Sequence, residues 1–196
     1  TAEKTLRLED SNRRFRFNYH AVNALLARVY CYVGDAPHAI ACAQDVIDHC
    51  GLLLSSSNQD DPILFSECLV ALNMYHMQET TSRLWADGDK FSTQYFIRQE
   101  RFDKYFEVSG STREDMRTKS AAFYEHTSTK TAISRKYNTN PHEAVPLIRL
   151  PEMYFILCEM TNDMTASAKY LNLVRNKRGY SKSVNVSYTN AEGRLA

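Results

Sequence analysis

The clearest hydrophobic rhythm in the chain runs over residues 15–50. Tyr19, Val22, Leu26, Val29 and Tyr30 recur at helical spacing, and the run stops at Gly34 and Asp35. Glycine accepts the left-handed backbone past a helix end, where a Cβ would clash. Pro37 follows near the first turn of a second helix, where its missing N–H leaves nothing unpaired. Ala39, Ala43, Val46 and Ile47 fall on one face of that helix, which ends near Gly51. The pattern predicts a helical hairpin. Small Ala27 and Ala39 let its helices approach, and Tyr30 fills the groove beside them.

A second helical pair is predicted from Leu147 onward. Pro151 falls in its first turn, and Met153, Ile156, Leu157 and Met160 form an apolar stripe. The partner helix covers about residues 165–177, with Leu171, Val174 and Tyr170 turned inward. Lys177 and Arg178 complement its dipole, and Gly179 ends it. Residues 55–62 read as a polar connector, and residues 63–72 fit either a strand or a turn of helix. A further helix is expected over about residues 93–106, burying some of its rings and exposing others. Residues 181–196 are polar and read as strand or loose tail.

Leu26, Ala27, Tyr30, Gly34 and Ala39 match a tetratricopeptide unit, which needs neighbours to bury its apolar face. Residues 145–179 add a more specific signature. Arg149 and Glu152 open an apolar helix that carries Glu159, and Asn172, Arg175, Arg178 and Gly179 close its partner. Upstream come Asp115-Met116-Arg117 and Lys136-Tyr137 before Pro141. In this order, over residues 18–47 and 115–179, the chain resembles the SusD/RagB family of Bacteroidetes surface lipoproteins. The resemblance implies a mostly α fold of tetratricopeptide-like hairpins, irregular loops and a few short strands. Residues 1–196 read as a single such region, expected to be truncated at both ends. It further implies binding without chemistry. An oligosaccharide or other nutrient would be held at the outer-membrane surface for a SusC-type TonB-dependent transporter, with the membrane reached only through an N-terminal lipid anchor. The competing expectation is a tetratricopeptide-type scaffold for a peptide or protein partner, which needs about three or more stacked units.

Composition narrows the chemistry. A hydrophobic fraction of 43% and a net charge of +1 describe an ordinary globular chain with no field to draw in nucleic acid. No apolar run is long enough to span a bilayer. The five cysteines contain no C-x-x-C spacing, so neither a zinc knuckle, a redox pair nor a disulfide scaffold is suggested. The six histidines show no H-x-x-x-H or H-E-x-x-H. His38 and His49 share a predicted helix but are read as exposed residues, not metal ligands. Ser109-Gly110-Ser111 lacks a nucleophile elbow, and the dispersed glycines cannot cradle a phosphate. For Arg149, Glu152 and Glu159 the reading is an ion pair pinning a helix entry to its neighbour, since a glycosidase needs two carboxylates flanking one bond. No cofactor or metal is implied.

Only the aromatics stand out, with 12 Tyr and 9 Phe against 1 Trp. Flat C–H faces of sugars stack on such rings while nearby polar groups bind hydroxyls. Trp85, Asp87 in the adjoining turn, and Tyr95 are therefore the candidate carbohydrate-binding residues. The plainer alternative is that Trp85 caps the helical scaffold, because large aromatics are usually mostly buried.

Overall fold

The computed structural model describes residues 11–57, 60–82, 95–108, 114–118, 122–126, 129–137 and 142–195. Helices dominate, and the strands are few and short. The chain forms two compact units: one from Thr1–Leu54, Ser66–Leu72 and Pro146–Ala196, the other from Ser55–Phe65 and Asn73–Val145.

The first unit is built on four helices. α1 (Tyr19–Val33) starts where the Asn18 side chain accepts the Ala21 N–H at 2.9 Å. It ends at Gly34, whose φ of +79° is open to glycine at no steric cost. The Asp35 N–H then reaches back to the Tyr30 carbonyl at 2.9 Å. Asp35 in turn caps α2 (Ala36–His49), with Pro37 in the first turn as expected. α5 (Leu150–Met160) carries Pro151 in its first turn, and Asp163 caps α6 (Met164–Lys177) through the N–H groups of Thr165 and Ala166. α2 packs against both α1 and α5, and α5 packs against α6. β1 (Cys68–Asn73) pairs with β5 (Ala144–Arg149). Leu147 to Arg149 are therefore strand, and the helix starts only at Leu150, later than its apolar run suggested.

The buried face of α1 is not the stripe of large residues. Ala21, Ala24 and Ala27 are fully buried against Ala39, Ala43 and Val46, whereas Val22, Leu26 and Val29 are exposed. Small side chains permit the short interaxial distance, and larger ones at the same positions would hold the helices apart. Tyr30 packs against this core and stacks on His38 at 5.1 Å. Replacing Ala27 with leucine should cost about 1–3 kcal/mol through overpacking. An unchanged melting temperature for Ala27→Leu would contradict this interface.

The second unit contains α3 (Met77–Ser82) and a three-stranded antiparallel sheet ordered β2–β4–β3. Its strands are β2 (Ile97–Arg98), β3 (Phe123–His126) and β4 (Thr131–Ser134). Ile97 faces Ala132 and Arg98 faces Thr131 across β2 and β4, while Phe123 faces Ser134 across β3 and β4. α4 (Gln99–Tyr105) follows β2 without a loop, so the helix expected over residues 93–106 is in fact strand then helix. Phe102 is fully buried, 4.8 Å from Phe106 and 5.1 Å from Phe123 between ring centroids. Asp115 is also buried, held by the Arg117 guanidinium and backbone N–H, so the Asp115-Met116-Arg117 element closes on itself.

The tail differs from the strand or loose end expected of it. After a single turn of 3-10 helix at Lys182–Val184, it folds into α7 (Ala191–Leu195). Arg194 donates to the carbonyls of Cys158 and Thr161, closing the open end of α5. All five cysteines are unpaired thiols, and burial pushes those of Cys31, Cys42 and Cys50 up, which suits packing rather than reactivity.

Candidate functional site

The signature residues of the last helical pair are occupied in holding the first unit together. The ion pair expected to pin the start of this helix to its neighbour exists at Glu152, and its partner is Arg28 on α1. The guanidinium meets both carboxylate oxygens, at 2.5 and 2.8 Å, and donates to the Leu147 carbonyl at 2.9 Å. The bond to Glu152 raises the Arg28 pKa. Arg149 is the extended residue just before α5. Glu159 lies 3.9 Å from the Cys31 thiol. Asn172 brackets Val186, donating to its carbonyl at 2.8 Å and accepting its N–H at 3.0 Å. Arg175 stacks 4.4 Å above the Tyr180 ring, and Arg178 forms a two-pronged pair with Glu67. Gly179 sits at a φ of +107°, where a side chain would be strained.

The histidines are similarly placed. His38 lies 2.8 Å from the Asp35 carboxylate, and the ring of His49 meets the Asp45 carbonyl at 2.9 Å. No metal-holding cluster occurs among the described residues.

Two of the concave surfaces among the described residues are of ligand size. A groove of about 400 Å³ runs between α6 and residues 185–188. Its principal polar groups are already used. Asn172 holds Val186, and the Tyr188 hydroxyl lies 2.6 Å from Ser167 and 3.3 Å from the Cys158 sulfur. Burial pushes the Tyr188 phenol up, and the Cys158 contact adds to the shift. This groove fastens the tail.

The other surface is a cleft of about 480 Å³ in the second unit, lined by Phe96, Arg98, Gln99, Glu100, Thr129, Lys130 and Thr131. Its size is that of a small-ligand site. The local backbone explains its shape. β2 pairs with β4 for only two residues before the chain turns into α4, and the Gln99 N–H extends the ladder to the Lys130 carbonyl at 3.0 Å. Lys130 takes a left-handed φ of +52°, a conformation costly for a residue with a Cβ. The Thr129 and Thr131 hydroxyls are 2.8 Å apart. Gln99 donates through Nε2 to Asp103 and keeps its amide oxygen as an acceptor. Phe96 is 47% exposed, with an open ring at the cleft. The side chains of Arg98, Glu100 and Lys130 have no hydrogen-bond or ionic partner among the described residues. Together they offer one apolar face ringed by donors and acceptors.

Of the sequence-derived candidates, Tyr95 is 65% exposed and precedes Phe96 in sequence, but it is not among the residues that line this cleft. Trp85 and Asp87 lie outside the described residues. Sequence reasoning missed Phe96, Arg98, Thr129 and Lys130. The alternation of rings and charges around Arg98 was a usable signal for the first two. Nothing local marks Thr129 or Lys130, which arrive by strand pairing.

No family model matches the chain, and no curated protein matches it. Solved structures do. A SusD superfamily protein of Bacteroides thetaiotaomicron matches with a TM-score of 0.68 and 22% identity, covering 89% of this chain and 44% of that one. A second from the same organism matches with a TM-score of 0.65 and 15% identity, over 93% and 44%. A candidate sugar-binding protein of Bacteroides vulgatus matches with a TM-score of 0.65 and 22% identity, over 91% and 43%. The chain spans less than half the length of these structures. Its fold is SusD-like.

Proposed function

We propose that this SusD-like chain binds a nutrient glycan at a bacterial cell surface, without chemistry, for delivery to a SusC-type TonB-dependent transporter. The observation that carries the reading is the fold likeness over about nine-tenths of the chain. The cleft in the second unit supports it with matching physics. A sugar ring lies its C–H face on Phe96, and Thr129 and Gln99 bind hydroxyls, with the exposed Tyr95 next to Phe96 in sequence as the candidate second ring. No helix among the described residues is long and apolar enough to cross a membrane.

The test is a calorimetric titration with plant, host and microbial oligosaccharides, after folding is checked by circular dichroism. Saturable binding of one glycan class is expected, and Phe96→Ala should weaken it about three- to tenfold, the scale of one ring contact. A folded protein that binds no member of the panel would overturn the reading.

A second reading has one observation in its favour. Val22, Leu25, Leu26, Val29 and Val33 form an exposed stripe along α1, the kind of face that receives an amphipathic helix. On that reading, a scaffold for a peptide or protein partner, substitutions on α1 and not at Phe96 would abolish the interaction.

A further inference from the structure

We infer that the ligand of the cleft carries a carboxylate, making it an acidic oligosaccharide in which a uronate unit stands among neutral sugars. The inference rests on the glycan-binding reading above and adds the charge of the sugar. Arg98 and Lys130 reach the cleft from adjacent positions of the β2–β4 pairing: Arg98 faces Thr131, and Lys130 is the next residue along. Elsewhere in the chain, arginines that meet carboxylates are consumed by the fold, as with Arg28 and Glu152, Arg117 and Asp115, and Arg178 and Glu67. Arg98 and Lys130 are not; neither has an acidic partner among the described residues. A guanidinium presents a planar fork that matches two carboxylate oxygens, and an ammonium adds a point charge. Lys130 also holds a left-handed backbone that glycine or asparagine would adopt more easily.

Glu100 refines the ligand further. Among the described residues lining the cleft it is the one acid, and it has no partner among them. A carboxylate there accepts sugar hydroxyls and repels a second anion. The cleft therefore suits a unit with a single carboxylate flanked by hydroxyls, its ring face on Phe96. A sugar anionic at every position would meet Glu100 unfavourably.

The experiment compares an oligosaccharide that carries one uronate among neutral sugars with the same oligosaccharide after its carboxyl is reduced to the alcohol. Calorimetry is run on the protein and on the surface variants Arg98→Gln and Lys130→Gln, at low and at raised salt. The acidic form should bind about tenfold more tightly, each variant should lose most of that margin, and salt should weaken only the acidic ligand. Equal binding of both forms, unchanged by either variant, would overturn the inference and leave glycan binding standing. Failure of both forms and of the wider panel would overturn both.

Discussion

Arg178→Ala should destabilise the protein by about 3–5 kcal/mol, measured as a lower midpoint in urea or guanidinium. Arg178 and Glu67 are bonded twice, at 2.7 and 2.6 Å, with side chains only 5% and 0% exposed. Removing the guanidinium takes a two-pronged charged partner from a carboxylate in the interior. The pair should not be counted as a large net stabiliser, because desolvating two charges offsets much of their attraction. Replacing both partners together, Arg178→Met with Glu67→Leu, should therefore be far milder than either loss alone. A loss below about 1 kcal/mol for Arg178→Ala would place the pair among ordinary exposed ion pairs.

Phe102→Ala should cost about 3–5 kcal/mol, this time in the second unit. Phe102 is wholly buried and joins α4 to β3 through Phe106 and Phe123. Its removal opens a cavity at the point where β2 becomes α4. The same backbone carries Phe96, Arg98 and Gln99 to the cleft, so ligand affinity should fall with stability. Phe102→Leu keeps much of the volume and should cost less on both measures. Full stability and full affinity in Phe102→Ala would show that the ring cluster does not position the cleft.

Local chemistry is what the sequence displayed most openly. Gly34, Asp35, Pro37, Pro151 and Gly179 mark helix ends by backbone preference, and the helices begin or stop beside each of them. The packing face of α1 was harder to see. Hydrophobicity favours Val22, Leu26 and Val29, while close approach of two helices selects Ala21, Ala24 and Ala27. Partners distant in sequence were invisible: an ion pair pinning the start of α5 to its neighbour was expected, but nothing local named Arg28, 124 residues from Glu152, as the partner. The two-residue β2 was absorbed into a predicted helix because the apolar residues around it fit both periods and only pairing with β4 decides between them. For the cleft, Tyr95, Phe96 and Arg98 stood in a visibly ring-and-charge stretch, whereas Lys130 joins them only through the sheet.

The first unit is assembled from three separated stretches of chain, and this sets the order in which a ribosome can complete it. Glu67 is synthesised 111 residues before Arg178, an interval of about 5–20 s at usual elongation rates. Throughout that interval the acid has no Arg178 to neutralise it and stays in water. α5 likewise waits for Arg194 to close its last turn. The β3–β4 hairpin, by contrast, pairs residues no more than 11 positions apart and can form as soon as it emerges. The inserted unit therefore matures first, while α1 and α2 remain a lone hairpin until the end of the chain arrives.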